Sequence, residues 1–234
     1  MKLEILADAD AVARRAASIV AADARAAVAA RGRFLLAVSG GRTPWAMLRA
    51  LSGEDVPWNS VHVFQVDERI APAGNADRNL VHLQESLLAR APLPPEQLHG
   101  MPVDSPELEA AAIRYAQILE KVAGVPAVLD VVHLGLGADG HTASLIPGDA
   151  VLAETERDVA LTGVYQGRRR MTLTYPVLDR ARRVLWLVTG SEKLGMLSRL
   201  RNGDSSIPAG RVRRDDALIL ADRAAAGRAQ SRPA

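Results

Sequence analysis

An α/β fold built on a mostly parallel sheet is what this sequence predicts, from two observations. Short runs rich in Val, Ile and Leu recur along the chain and alternate with longer stretches of helical spacing. Within the runs, apolar residues stand at consecutive positions rather than every second one, the pattern of strands buried on both faces. At 234 residues, 48% hydrophobic and 24% charged, the chain is long enough to bury a substantial core and ordinary in composition for a soluble globular protein.

The elements follow in order. An Ala-rich helix is expected over 9–31 and stops at Gly32, before a strand over 33–38 (RFLLAV). Thr43-Pro44 reads as a hydroxyl N-cap followed by proline at the first helical position, opening a helix over 44–52 that ends at Gly53. A strand over 61–66 (VHVFQV) leads to a helix over 77–90. Ser105-Pro106 repeats the cap signal ahead of a helix over 106–123, stopped by Gly124. Strands are expected at 128–136, 169–175, 183–189 and 217–221, with a helix over 191–201 ended by Gly203. No internal repeat and no long linker is visible, so we expect one domain over 1–234, its last residues, about 223–234, a frayed tail.

Several function classes are excluded by composition. No stretch approaches the eighteen or so apolar residues of a membrane span. The start carries Glu4, Asp8 and Asp10 where a signal peptide would be cationic and then apolar, so it reads as mature protein. Cysteine is absent, which removes disulfides and thiolate metal sites and suits a cytoplasmic protein. The net charge of +2 comes from scattered basic residues, and aromatics are too few for a stacking platform, so no nucleic-acid partner is expected. A modest positive balance suits an anionic small substrate.

Ligands of open parallel sheets bind beyond the carboxyl ends of the strands, and four strand ends here carry chemistry. Ser39-Gly40-Gly41-Arg42-Thr43-Pro44 places two glycines before a helix N-terminus, a cradle for an anion such as a phosphoester. It lacks the Gly-Lys-Ser/Thr of a nucleotide P-loop. Asp67-Glu68-Arg69 ends the 61–66 strand. Gly190-Ser191-Glu192-Lys193 puts an ammonium in the first turn of a helix, a poor place for a lysine unless an anion sits there. Leu134–Gly148, LGLGADGHTASLIPG, holds His141 two residues after Asp139. Its Gly-x-Gly-x-x-Gly matches the dinucleotide fingerprint. Asp139 facing a pyrophosphate, Pro147 and the lack of a later strand-end acid argue against that use.

With these residues in view, the chain resembles the 6-phosphogluconolactonases of the sugar-phosphate isomerase type. The matching segments are SGGRTP at 39–44, DER at 67–69, LGLGADGHTASLIPG at 134–148, RMTLT and PVL within 170–178, and TGSEK at 189–193. The resemblance implies a Rossmann-like sheet with helices on both faces, no metal, no organic cofactor, and hydrolysis of 6-phospho-glucono-1,5-lactone in the oxidative pentose phosphate pathway. It implies His141 as general base, with Asp139 beside it. It associates Arg69, Lys193, Gly40 and Gly41 with substrate phosphate. Arg42, Thr43, Asp67, Gly140 and Arg170 join them as matched positions. The family often has Ser-Asn shortly after DER; Arg78-Asn79 stands here, so Asn79 is carried over and Arg78 is not. Lys-Pro-Pro-like residues usually precede RMTLT, whereas this chain has Gln166-Gly167 and then Arg168, Arg169 and Arg170, any of which can face the site.

Opening a lactone needs an activated water, a partner for the oxyanion, and a proton for the leaving ring oxygen; one neutral imidazole supplies the first and third in sequence. The oxyanion partner is either the amides of the glycine loop or Arg170. Asp139 either orients the imidazole or holds loop N–H groups. The other histidines read as structural, His133 as a core residue in an apolar strand, and none pairs at the i, i+4 spacing of a helical zinc motif. An amino-sugar-phosphate isomerase/deaminase on the same fold would want an acid before the proline that follows the loop, and DGHTASLIPG has none. A sugar-phosphate sensor would need an output module, for which no residues remain.

Overall fold

The computed structural model describes residues 1–227. Its strands are β1 (Lys2–Leu6), β2 (Phe34–Val38), β3 (Val61–Gln65), β4 (Asp67–Arg69), β5 (Leu98–His99), β6 (Val131–Gly135), β7 (Val159–Leu161), β8 (Arg170–Leu173), β9 (Arg183–Val188) and β10 (Ala217–Asp222). The helices are α1 (Ala9–Arg31), α2 (Arg42–Leu51), α3 (Asn79–Leu83), α4 (Leu108–Ala123), α5 (Tyr175–Arg180), α6 (Leu194–Asn202) and α7 (Pro208–Arg211). Seven strands form one sheet in the order β1-β10-β9-β6-β2-β3-β5, every pair parallel. The remaining three make a small antiparallel sheet, β4-β8-β7.

Alternation along the buried strands divides the core between the two faces of the large sheet. Phe34, Leu36 and Val38 of β2 point into a cluster with α1 and α2, while Leu35 and Ala37 point to the opposite cluster with α4, α6 and the small sheet. Helices therefore cover both faces, as a parallel sheet requires. α1 matches its expected bounds because both ends are fixed locally: Asp8 Oδ1 accepts from the Ala11 N–H at 2.8 Å, and Gly32 closes the helix at φ 74°.

Both hydroxyl–proline signals misplace their helix starts. α2 is capped by Gly41 at φ 130°, so Thr43 lies inside the first turn and Pro44 at the third position. A proline costs nothing there because the first N–H groups of a helix have no internal partner. α4 begins after Glu107, and the Ser105 hydroxyl instead accepts from the Glu107 N–H in the turn before it. The expected 77–90 helix is a short α3 continued by a π-helical turn over Gln84–Leu88, and the expected 191–201 helix opens with a 3₁₀ turn over Ser191–Lys193. β1, β5, β7, α5 and α7 lie outside the expected elements: the strands are short or at an edge, α5 follows β8 with one residue between, and α7 is a single turn. Asp67-Glu68-Arg69 is a strand in its own right, pairing Arg69 with Arg170.

The expected tail is set too early. Ala225 is buried, and its N–H donates to Asp222 Oδ1 at 2.7 Å. The rest of that expectation, 228–234, lies outside the described residues.

Candidate active site

Chain order and strand order together locate the site. From β2 the chain moves one way across the sheet to β3, and later returns to place β6 on the other side of β2. The crevice beyond the carboxyl ends of β2 and β6 is thus the topological switch point of the sheet. The Ser39-Gly40-Gly41 turn and the Gly137–Gly148 loop leave from those two ends. They are tied together at their roots: the Ser39 N–H donates to His133 Nδ1 at 3.2 Å, and the Ser39 hydroxyl to the His133 carbonyl at 3.1 Å. His133 is fully buried, the core histidine its apolar strand suggests.

His141 and Asp139 form a tight pair. His141 Nδ1 lies 2.6 Å from Asp139 Oδ1, and the same oxygen accepts the His141 backbone N–H at 3.1 Å. Burial pushes the Asp139 carboxyl up, but the His141 N–H, the imidazole and the Tyr165 hydroxyl outweigh it and hold the group below the usual carboxylate range. A carboxylate only accepts, so Nδ1 carries a proton, and in the neutral imidazole the lone pair falls to Nε2. Asp139 thus holds both the ring and a loop N–H, and the two alternatives left open by sequence are both realised. The turn needs glycine at its base: a Cβ on Gly137 would stand 2.1 Å from His141 Nδ1.

The remaining candidates gather around this pair by identifiable contacts. Ser144, three residues after His141, donates its hydroxyl to Asp67 Oδ2 at 2.7 Å and its backbone N–H to Thr172 Oγ1 of β8 at 3.1 Å. Burial pushes the Asp67 carboxyl up, against the Ser144 bond and the charge of Arg170. Asn79 donates from Nδ2 to the Asp67 carbonyl at 3.1 Å, and its Oδ1 occupies the space a Cβ on Gly40 would need, 2.1 Å away. Gly40 is therefore glycine because Asn79 fits against it. Arg78 is structural, buried against Glu68 at 3.3 Å; the Arg69 N–H also donates to Glu68, at 2.8 Å, but its guanidinium does not pair with that carboxylate. The Arg69 guanidinium donates to the Asp77 carbonyl instead, at 2.8 Å.

Among the three arginines before the Met-Thr-Leu-Thr run, only Arg170 turns inward. Arg168 pairs with Asp77 at 2.6 Å and Arg169 donates to the Thr162 carbonyl at 3.2 Å. Arg170 is buried, its Cζ lies 5.1 Å from the Tyr165 ring centre, and its Nε has no partner among the described residues. Thr43 meets Thr189 hydroxyl to hydroxyl at 2.8 Å, joining the α2 N-terminus to the loop after β9. That loop carries Lys193, half-buried and free of any ion pair among the described residues, one turn before Met196. Met196 Sδ lies 3.4 Å from where a Gly140 Cβ would be, so the first turn of α6, which follows Lys193 in the chain, lies against the histidine loop. Arg42 is the exception: exposed, it lines a cleft of about 440 Å³ with Arg49, Asp10 and Glu192, a cleft that contains neither His141 nor Arg170. Among the described residues no group of three acidic, histidine or cysteine side chains converges as a metal site. No described helix is long and apolar enough to cross a membrane.

Tyr165 is the site residue that sequence reading missed. Its signal lay in Tyr165-Gln166-Gly167-Arg168, where φ is 51° at Gln166 and 78° at Gly167, a two-residue hairpin turn opening β8.

A parallel α/β sheet with an acid-supported histidine at its switch point, and cations that have no ion pair among the described residues, defines a class of protein that handles small anionic substrates. Residues 7–220 match the family described as glucosamine-6-phosphate isomerases/6-phosphogluconolactonase, and the chain belongs to that family. A Mycobacterium bovis protein named 6-phosphogluconolactonase is 37% identical, covering 98% of each chain. The crystal structure of 6-phosphogluconolactonase from Thermotoga maritima aligns with a TM-score of 0.84 at 26% identity, covering 94% of this chain and 98% of that one. A monomeric glucosamine-6-phosphate deaminase aligns as well, at a TM-score of 0.85 and 18% identity over 97% of this chain and 99% of that one. The fold is thus shared across chemistries, and the site must decide between them.

Proposed function

We propose that this protein hydrolyses 6-phospho-D-glucono-1,5-lactone to 6-phospho-D-gluconate, the lactonase step of the oxidative pentose phosphate pathway, with His141 as general base. The observation that carries the mechanism is the 2.6 Å contact between Asp139 and His141 Nδ1, which directs the basic Nε2 away from the carboxylate. Nε2 takes a proton from water as its oxygen attacks the lactone carbonyl carbon. The negative charge that develops on the carbonyl oxygen falls to Arg170, whose buried Nε–H awaits an acceptor. When the bond from that carbon to the ring oxygen breaks, the imidazolium returns the proton to the ring oxygen. Arg69, Lys193 and the Gly40-Gly41 amides take the phosphate.

This chemistry moves protons only between water, imidazole and oxygen, so it calls for neither metal nor organic cofactor. The whole chain, 1–234, serves as one domain in this reading, supported by a single parallel sheet that runs from Lys2 to Asp222. A reducing cytoplasm fits a chain without cysteine, and neither nucleic acid nor membrane enters as a partner.

The test is a coupled assay on freshly prepared 6-phosphogluconolactone, corrected for spontaneous opening, run beside glucosamine 6-phosphate. Turnover well above the blank on the lactone and none on the amino sugar is expected. A rate equal to the blank, or release of ammonia from glucosamine 6-phosphate, overturns the reading.

A further inference from the structure

Tyr165 touches Asp139, His141 and Arg170 while standing outside the matched motifs. Its hydroxyl donates to Asp139 Oδ2 at 2.9 Å, the oxygen that His141 does not use. Its ring lies edge-on to the His141 imidazole, with centres 5.5 Å apart and planes at 66°. The face of the same ring carries the Arg170 guanidinium at 5.1 Å. The tyrosine is placed by a backbone built for it: the Gln166-Gly167 turn closes on a Tyr165–Arg168 pair, with the Tyr165 N–H donating to the Arg168 carbonyl at 2.9 Å and the Arg168 N–H returning the bond at 3.2 Å.

We propose that Tyr165 is a positioning residue with two separable duties, the hydroxyl setting the Asp139–His141 pair and the ring seating Arg170. The proposal rests on the lactonase reading of the same site. The hydroxyl locks the carboxylate in one rotation. Asp139 can turn about its last bond when only one oxygen is held, and a turn of that group moves Nε2 relative to the substrate. With Oδ2 held by the phenol and Oδ1 by two donors of His141, that freedom is gone. The phenol also withdraws charge from the carboxylate, which moderates how strongly Asp139 stabilises the imidazolium. Its proton stays on oxygen: burial pushes the phenol's pKa up from its usual value, and donation to Asp139 pushes it further. The ring has a different effect. A guanidinium on an aromatic face gains attraction without using any N–H, so Arg170 is held in place with donors left for the substrate.

Tyr165→Phe removes the hydroxyl and keeps the ring. It should lower kcat about tenfold, the scale of a hydrogen bond to a charged group at a half-exposed site, and change KM less than twofold. The acid limb of the kcat/KM profile should move to higher pH, because the unmoderated carboxylate favours the imidazolium. In an Asp139→Asn background the same substitution should cost under twofold, since the hydroxyl acts through Asp139. Tyr165→Leu removes the ring too, and should add a further several-fold fall in kcat through Arg170, whose oxyanion partner forms only in the transition state. An active parent whose rate and pH profile are unchanged by Tyr165→Phe overturns the proposal and leaves the lactonase reading standing. Equal losses in the Asp139 and Asp139→Asn backgrounds overturn it as well. A parent without lactone turnover removes the lactonase reading itself, an outcome visible before any variant is made.

Discussion

At the scale of single residues, the site depends on close approaches that only glycine permits. Gly137 has no unusual backbone angle, yet a Cβ there would meet His141 Nδ1 at 2.1 Å and Asp139 Oδ1 at 2.6 Å. Gly137→Ala should therefore separate the pair while leaving the sheet alone. We expect at least a tenfold loss of kcat and a destabilisation of roughly 1–3 kcal/mol, the usual cost of an overpacked position. Activity assays beside urea titration of the same sample check this; full activity would show that the loop yields without moving the histidine. His141, Asp139 and their glycines were legible because all lie within one loop, where spacing in sequence is nearly spacing in space. Tyr165 was not. It reaches Asp139 from a hairpin 26 positions later, and no local pattern encodes that approach.

At the scale of elements, β4, β8 and the turn after β9 carry the cations of the proposed site on segments far apart in sequence. Arg69 sits on β4 directly across from Arg170 on β8, and Lys193 sits in the turn between β9 and α6. Like charges are placed together at a cost, and a bound phosphate offsets it. Removal of either cation, Arg69→Ala or Lys193→Ala, should weaken kcat/KM toward the phosphorylated lactone by roughly 1.5–3 kcal/mol, the value of a hydrogen bond to a charged group. Toward unphosphorylated gluconolactone the same variants should differ little from the parent. Equal losses on both lactones would assign the two residues to folding. The sequence carried the cations but not their framework. It suggested that Asp67-Glu68-Arg69 was the mouth of β3, whereas a second, antiparallel sheet takes it up, because three-residue strands are too short to show a period. Helix starts were misjudged for a related reason: hydroxyl and proline mark a region of unpaired N–H groups that spans a full turn, so the pattern fixes a helix start only to within that turn.

At the scale of the whole molecule, one parallel sheet both makes the core and aims the site, and its buried His133 and half-buried His99 couple stability to pH. Burial pulls His133 down to about 3 and His99 down to about 4 from an ordinary 6.5. Between 6.5 and those values the unfolded chain binds protons that the folded chain refuses, so these groups stabilise fully above 6.5 and lose that contribution as the pH falls. Asp67, pushed up by burial, works in the opposite sense, since its folded form keeps a proton that the unfolded chain releases as pH rises. Urea midpoints measured from pH 7 to pH 4.5 should fall, and His99→Asn should make the fall shallower; identical slopes would remove His99 from the account. The alternation of apolar runs and helices made this architecture readable from sequence, since burial on both faces leaves a strong, redundant pattern. The central claim concerns chemistry, and the most direct measurement is the rate of 6-phosphogluconolactone opening above the spontaneous blank in the parent and in His141→Ala, both shown to be folded. The account predicts a fall of roughly 10²- to 10⁴-fold, the usual contribution of a general acid–base. A folded His141→Ala protein that opens the lactone at nearly the parent rate would contradict it.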